Sequence, residues 1–229
     1  MAEENKCAAP PEITVDPALK KLYPWTRLGC LHFEAEVLPP DEIFGRYLEE
    51  EVIPRVLSET EGRAWGEIRG IRGSRRAYCT FGWEPSRHRV SSEALIRRIR
   101  RGDALYRINT VVDVNNMLSA SCGLSLGCYD LAAVKGPVIY RRAKEDEGYE
   151  GIGRGYVKLG GLPVLCDGEG PFGSSLSDSV RTAVTLKARE ILVVLHCFDG
   201  ETDLNDWLDI SAKSFEAFAG AKNITTWIA

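Results

Sequence analysis

Hydrophobic residues recur along the chain with two different periods. Four segments repeat their apolar residues every three to four positions, which predicts amphipathic helices. They are 41–57, 91–102, 109–123 and 202–220. Six shorter segments rich in Val, Leu and Ile predict strands. They are 28–38, 137–142, 156–159, 163–167, 182–186 and 190–198. The sequence therefore predicts an α+β fold, with N-terminal helices packed on a mostly antiparallel or mixed C-terminal sheet.

Polar residues and helix breakers indicate where these helices begin and end. Asn109 is predicted to cap the third helix and Gly123 to end it. Ser91 or Ser92 is predicted to cap the second helix. Pro54 is predicted to kink or break the first helix, because proline lacks the backbone donor.

Composition places the chain among globular proteins. Hydrophobic side chains make up 44% and charged side chains 27% of its 229 residues, which suits a sizeable core. We expect a mobile tail over residues 1–12 and a single domain over residues 13–229. No apolar run reaches the roughly 18 to 20 residues that span a bilayer, and the acidic start is unlike a signal peptide. A cytoplasmic protein with no membrane partner and with reduced cysteines is expected.

Arginine is concentrated in one segment of an otherwise acidic chain. Residues 69–107 contain eleven arginines and three acids, a net charge of +8, against −12 for the remainder. Such clusters are typical of phosphate-binding surfaces, because a guanidinium group can hold two phosphate oxygens. The candidates for RNA contact are Arg97, Arg98, Arg100 and Arg101. Alternatively, the arginines form a solvated surface and pair with acids of the same chain.

The sequence shows no pattern that would hold a metal or a cofactor. The three histidines lie far apart, and the neighbours His196 and Cys197 point to opposite faces of a strand. Segment 151–155 lacks the strand before and the helix after it that a dinucleotide-binding loop needs, and it is typical of a hairpin turn. We therefore predict no metal and no cofactor.

One glycine-bounded segment, 123–136, carries candidate chemistry. It runs through Gly127, Cys128 and Tyr129 into Asp130. Either Asp130 caps a short helix, or the glycines keep a wall open around a ligand. Cys128 is either a nucleophile or a thiol of the core or pocket wall.

A second segment, 170–182, holds many hydrogen-bonding side chains between glycines. Its serines, Asp178, Arg181 and Thr182 are predicted to line a polar pocket. Backbone N–H groups near Gly173 and the hydroxyl groups would then stabilise an oxyanion while an ordered water attacks. The alternative is a surface turn in which Asp178 caps the backbone and pairs with Arg181.

Four motifs follow one another in a distinctive order. They are RINTVVDVNN (107–116), GLSLGCYDLAAVKG (123–136), VIYRRAKEDEGYEGIGRGYVKL (138–159) and PVLCDGEGPFG (163–173). In this order and spacing, over about residues 85–190, the chain resembles the editing domain of the phenylalanyl-tRNA synthetase beta chain, called B3/B4. The chain looks like a freestanding member, since nothing in it resembles the aminoacylation module of a complete ligase.

The resemblance implies a pocket in which the ester of a wrongly attached amino acid is hydrolysed. Gly127 stands where the family has a pocket histidine, which implies a larger pocket. Tyr156 falls at or beside the position of the glutamate that recognises a tyrosine hydroxyl, and is expected to fill the enlarged pocket. The candidate pocket residues are Asn109, Asn116, Gly127, Cys128, Tyr129, Asp130, Tyr156, Gly173, Ser174, Ser175, Asp178, Arg181 and Thr182.

Three functions remain open at this point. The first is an editing-like protein that binds aminoacyl-tRNA and acts as a deacylase in trans. The second is a non-catalytic RNA-binding module, and the third is a binder of a small amino-acid-like ligand. A DNA partner is not expected.

Overall fold

The architecture consists of two four-stranded sheets and a two-stranded hairpin, with most of the helices on one side. It is described by a computed structural model of residues 9–229, so residues 1–8 of the predicted tail lie outside the described residues. The strands are β1 (Ile13–Val15), β2 (Arg27–Glu34), β3 (Ser125–Asp130), β4 (Val138–Arg142), β5 (Gly148–Gly151), β6 (Gly155–Lys158), β7 (Pro163–Asp167), β8 (Gly170–Ser174), β9 (Glu190–Cys197) and β10 (Lys222–Ile228). The α-helices are α1 (Pro17–Leu22), α2 (Glu42–Tyr47), α3 (Ile53–Thr60), α4 (Arg69–Thr80), α5 (Ser91–Arg100), α6 (Thr110–Cys122) and α7 (Leu204–Ala219).

Strand pairing confirms the predicted α+β class with mixed sheets. The first sheet has the order β1-β4-β7-β8, and the second has the order β10-β2-β9-β3. The pair β1–β4 is parallel, whereas the other pairs of both sheets are antiparallel. The N-terminal strand β2 lies inside the second sheet. The sequence pattern predicted a C-terminal sheet, and on this point the prediction was wrong.

The helices, the second sheet and the first sheet form three layers. Because side chains alternate along the strands, each face of the second sheet contributes to a separate core. One face of the second sheet packs against the helices, with Leu31 of β2 and Val193 of β9 in the contact. Its other face, with Leu192 and Val194 of β9, packs against the first sheet. The two edge strands β3 and β8 are therefore brought close together at one side of this sandwich.

The predicted ends of α6 are confirmed. The side chain of Asn109 accepts a hydrogen bond from the Val112 backbone N–H at 2.9 Å, and its amide donates to the Val184 carbonyl at 3.1 Å. Gly123 ends the helix with φ at +73°, a conformation that costs glycine little. Within residues 9–229, no helix combines the length and apolar character needed to cross a membrane.

Two local predictions require correction, and a third has an unpredicted detail. Helix α5 follows Val90 without a side-chain cap, and Ser92 is instead buried beside Ser125. The regular α-helix predicted over 41–57 is interrupted just before Pro54 by a π-helical segment, Leu48–Val52, and Pro54 lies in the first turn of α3. Segment 182–186 is not a strand: a 3₁₀ turn, Val180–Thr182, precedes a single bridge between Ala183 and Tyr129.

We expect Asn109→Ala to lower the free energy of unfolding by about 1 to 3 kcal/mol, because it removes the cap and leaves the Val184 carbonyl without its donor. Urea unfolding monitored by circular dichroism measures this change. Asn116→Ala on the same helix is the matched control and should cost less than about 0.5 kcal/mol. Equal losses in the two variants would contradict this role of Asn109.

Candidate functional site

Hydroxyl groups gather where the edge strands β3 and β8 meet. We call Tyr78, Tyr129, Tyr149, Ser174, Ser175 and Asp178 the hydroxyl cluster. Tyr129 comes from β3, Ser174 ends β8, and Asp178 lies in the turn that follows β8. Glycine at 173 and an antiparallel bridge from Gly173 to Asp178 turn this segment back on itself. The cluster thus joins the two sheets at their edges.

The phenol of Tyr129 lies between two glycines. It is fully buried, and a β-carbon on either Gly127 or Gly173 would overlap its hydroxyl oxygen and lie 2.6 Å from its Cζ atom. The ring also packs edge-on against Phe172, with the ring centroids 5.0 Å apart. Both glycines are required here because any side chain would displace the phenol.

Asp178 accepts a hydrogen bond from the Tyr129 hydroxyl at 2.8 Å. Burial raises the pKa of the Asp178 carboxyl to about 7, although the bonds from Tyr129 and the Ser174 backbone work in the opposite direction. Burial and the nearby Asp178 charge raise the pKa of Tyr129, so Tyr129 keeps its proton and acts as the donor. The Asp178 residue as a whole is partly exposed, whereas its carboxyl is desolvated among these donors.

The remaining hydroxyl groups hold the turn after β8. The Ser174 hydroxyl lies 3.0 Å from the Tyr149 hydroxyl and donates to the Ser177 carbonyl at 2.9 Å. The hydroxyl oxygens of Tyr78 and Ser175 are 2.9 Å apart. Burial raises the pKa of both tyrosines, so neither serves as a base near neutral pH.

Residues 73–206 match the model of the B3/4 domain family. The chain belongs to this family. The match confirms the resemblance inferred from the four motifs. No curated protein matches the chain. Among solved structures, it is similar to an N-terminal fragment of the phenylalanyl-tRNA synthetase beta-subunit from Pyrococcus horikoshii, at 15% identity and a TM-score of 0.45. The alignment covers 95% of this chain but only 54% of that fragment.

In this B3/4 protein, five candidate pocket residues come together around the Tyr129–Asp178 hydrogen bond: Gly127, Tyr129, Gly173, Ser174 and Asp178. The next candidate, Ser175, meets Tyr78 instead. Asp130, the next residue on β3, lies outside the cluster. Its carboxylate accepts from the Ala132 backbone N–H at 3.2 Å and caps a 3₁₀ turn. The capping role of Asp130 is therefore confirmed.

Three other candidates lie on the helix side of β3. Cys128 packs in the core between the second sheet and the helices, whereas Gly127 and Tyr129 on the same strand face the first sheet. Burial raises the pKa of the Cys128 thiol, which favours a core thiol over a nucleophile. Asn109 and Asn116 belong to the cap and body of α6, which packs on this helix side.

Arg181 does not pair with Asp178, contrary to the surface-turn alternative. Its guanidinium group donates two bonds of 2.9 Å to Asp167. Burial acts to raise the pKa of Asp167, but the bonds from Arg181 and two backbone N–H groups outweigh it and lower that pKa. The pair therefore ties the segment after Asp178 to β7. Among the described residues, the buried Thr182 hydroxyl has no hydrogen-bond partner.

Tyr156 does not fill the space beside Gly127. It lies on the hairpin formed by β5 and β6 and is 57% exposed. Its ring packs over Gly148, where a side chain would otherwise lie. The hairpin turn predicted over 151–155 is itself confirmed. Tyr129 occupies the space that Gly127 leaves, because its ring leans back along the strand over this glycine.

Three of the four candidate RNA-binding arginines pack on aromatic rings. The guanidinium carbons of Arg97 and Arg100 each lie 4.2 Å from the centroid of the Trp65 ring. That of Arg98 lies 4.2 Å from the centroid of the Tyr106 ring. Such contacts stabilise the fold and reduce the freedom of these side chains to reach a phosphate.

Many arginines of the basic segment also form ion pairs within the protein. Buried Glu93 pairs with Arg75 at 3.0 Å and with Arg97 at 2.9 Å. The arginines paired with described carboxylates are Arg69, Arg72, Arg75, Arg87, Arg97, Arg101 and Arg107. Arg101 remains 70% exposed in its pair with Asp103. This geometry favours the alternative that the chain's own acids balance the segment, and RNA contact stays a prediction.

Sequence reasoning missed Tyr78 and Tyr149. Tyr149 shares the buried face of the hairpin with Val157, its partner in register, and this alternation was a usable signal. Tyr78 reaches the cluster from α4, far away in sequence, and no local pattern marks it. Two clefts of about 1210 and 320 Å³ contain no residue of the hydroxyl cluster. At the site itself, the Tyr129 phenol fills the space between Gly127 and Gly173.

The raised pKa of Asp178 predicts a specific dependence of stability on pH. Burial raises the pKa of Asp178 to about 7 in the folded state, so the folded protein keeps this proton at higher pH than the unfolded chain, in which the carboxyl has its ordinary pKa of 3.8. As the pH rises between these two values, the free energy of unfolding of the wild type should fall relative to that of Asp178→Asn, by up to about 1.4 kcal/mol per pH unit.

Urea unfolding of the wild type and of Asp178→Asn between pH 4 and 8 tests this prediction. Asp130→Asn is the control, because Asp130 lies outside the cluster and asparagine also caps. Parallel stability curves for wild type and Asp178→Asn would show that Asp178 titrates normally.

Proposed function

We propose that this B3/4 protein recognises the aminoacyl end of a tRNA and hydrolyses its ester, with Asp178 as the general base. The observation that supports this proposal is a desolvated carboxyl whose pKa is raised to about 7, placed among buried hydroxyl groups and bonded by the Tyr129 phenol. A base is most effective when its pKa lies near the operating pH.

The proposed reaction needs no covalent nucleophile. The Asp178 carboxylate removes a proton from water as the water oxygen attacks the ester carbonyl. The resulting tetrahedral oxyanion collapses, the bond to the ribose oxygen breaks, and Asp178 returns the proton to this leaving oxygen. The products are the free amino acid and a tRNA with its ribose hydroxyl restored.

Hydrogen bonds in the cluster indicate which groups could serve this reaction. The hydroxyl of Tyr129 already holds one oxygen of Asp178, which fixes the orientation of the base. Ser174 is engaged by Tyr149 and by the turn, so it supports the site but is not free to move. The buried Thr182 hydroxyl, without a partner among residues 9–229, is the candidate donor to a ligand oxygen.

We expect Asp178→Asn to lower the rate of deacylation by about 10² to 10⁴, while Asp130→Asn retains it. The logarithm of the wild-type rate should rise with pH up to about 7 and then level off, as the base loses its proton. A panel of mischarged tRNAs, with release of the amino acid followed over time, provides the measurement. Unchanged hydrolysis in Asp178→Asn would exclude this residue as the base.

A second function, binding of a small amino-acid-like ligand without RNA, is favoured by the packing of Arg97, Arg98 and Arg100 on aromatic rings. If tRNA binds through exposed arginines, Arg101→Gln should reduce the slope of log affinity against log salt by about 0.7 to 0.9. Arg97→Gln should instead lower stability by about 0.5 to 1 kcal/mol and change that slope less, because its charge is paired internally.

Filter binding at several salt concentrations, together with urea unfolding, separates these effects. Equal slope changes in the Arg97 and Arg101 variants would indicate that both side chains leave their internal partners to contact phosphates. No binding of tRNA by the wild type, even at low salt, would favour the small-ligand function.

A further inference from the structure

The space between Gly127 and Gly173 has the dimensions of a single aromatic ring, and the protein fills it with its own side chain. Neither glycine tolerates even a β-carbon without displacing the Tyr129 phenol. The hydroxyl of Tyr129 is held by Asp178 at 2.8 Å, and its ring is held by Phe172. A second ring therefore cannot enter while Tyr129 keeps this position.

This space borders Asp178, a residue that is not completely buried. Asp178 and Ser177 are partly exposed, whereas Tyr129, Ser174 and Ser175 are buried. The hydroxyl end of Tyr129 points toward Asp178, whose carboxylate it holds. A ligand that reaches Asp178 would meet the tip of the Tyr129 phenol.

We infer that Tyr129 is the specificity-determining residue of this site: it excludes aromatic side chains and restricts the site to aminoacyl groups with small side chains. This inference rests on the proposed function for the substrate class. It differs from the expectation drawn from Gly127 alone, since the room that this glycine provides is taken by a neighbour on the same strand.

Buried Tyr140 provides a matched control for the loss of a tyrosine ring. It is fully buried on β4, and its hydroxyl lies 3.1 Å from Nδ1 of His196. Strand β4 lies between β1 and β7, inside the first sheet. Tyr140→Ala therefore removes the same volume as Tyr129→Ala from a fully buried position, but it leaves Tyr129 and its bond to Asp178 in place.

Thermal unfolding of the wild type, Tyr129→Ala and Tyr140→Ala in the presence of tyrosinamide tests the inference. Tyrosinamide should raise the Tm of Tyr129→Ala by about 5 to 10 °C at a concentration of 100 times Kd. It should change the Tm of the wild type and of Tyr140→Ala by less than about 1 °C, because Tyr129 still fills the space between Gly127 and Gly173 in both proteins. If Tyr129→Ala does not fold, the same measurement is made on Tyr129→Val, because valine favours the strand conformation.

Three results would overturn the inference. They are equal binding of tyrosinamide by the wild type, equal binding by Tyr140→Ala, and no binding by the position 129 variant. Deacylation tests the proposed function separately. If tyrosinamide binds the Tyr129 variant but neither the wild type nor the variant hydrolyses any aminoacyl-tRNA, the proposed function is wrong while the role of Tyr129 stands. If the function and the role of Tyr129 are both correct, the ratio of the hydrolysis rates for aromatic and small aminoacyl esters is at least tenfold higher in the Tyr129 variant than in the wild type.

Discussion

The hydrogen bond between Tyr129 and Asp178 is the contact on which the site depends. It joins β3, the edge of the second sheet, to the turn after β8, the edge of the first sheet. The bond forms only because Gly127 and Gly173 leave room for the phenol between the strands. Packing of the two sheets and the chemistry of the carboxyl are thus linked by one side chain.

The other buried carboxylates show why Asp178 is unusual. Asp113 receives bonds from the Arg107 guanidinium at 2.9 Å and from the Ile108 backbone N–H at 2.7 Å. Asp167 is similarly held by Arg181 and by backbone N–H groups. These carboxylates have cationic partners and stabilise the fold. Asp178 has only neutral donors, so desolvation is not offset and its pKa rises.

The same balance of partners applies to the basic segment. A net charge of +8 over residues 69–107 is a property of the sequence, whereas the electrostatic potential of the surface depends on where the acids lie. Glu93 is buried between Arg75 and Arg97, and Glu201 lies against Arg72 at 2.7 Å. The exposed charge available to a partner is consequently smaller than the sequence suggests.

Local patterns determined the elements and the family of this protein. The period of apolar residues and the residues Asn109 and Gly123 predicted α6 to within a residue, because capping and left-handed backbone are decided by neighbours in sequence. The motifs between 107 and 173 carried the resemblance that the family match confirmed. In contrast, segment 182–186 has the composition of a strand, but its backbone finds only the single bridge to Tyr129.

Only the tertiary structure decided the contents of the site. Alternation along β3 places Cys128 with the helices and Gly127 with the first sheet, but the sequence does not say which face meets Asp178. Nor does it show that the Tyr129 ring fills the space left by Gly127 and Gly173. These facts depend on the approach of β3 to β8, which are separated by some forty residues of chain. Burial and partners across such distances set the pKa of Asp178, and they exist only once the two sheets have packed.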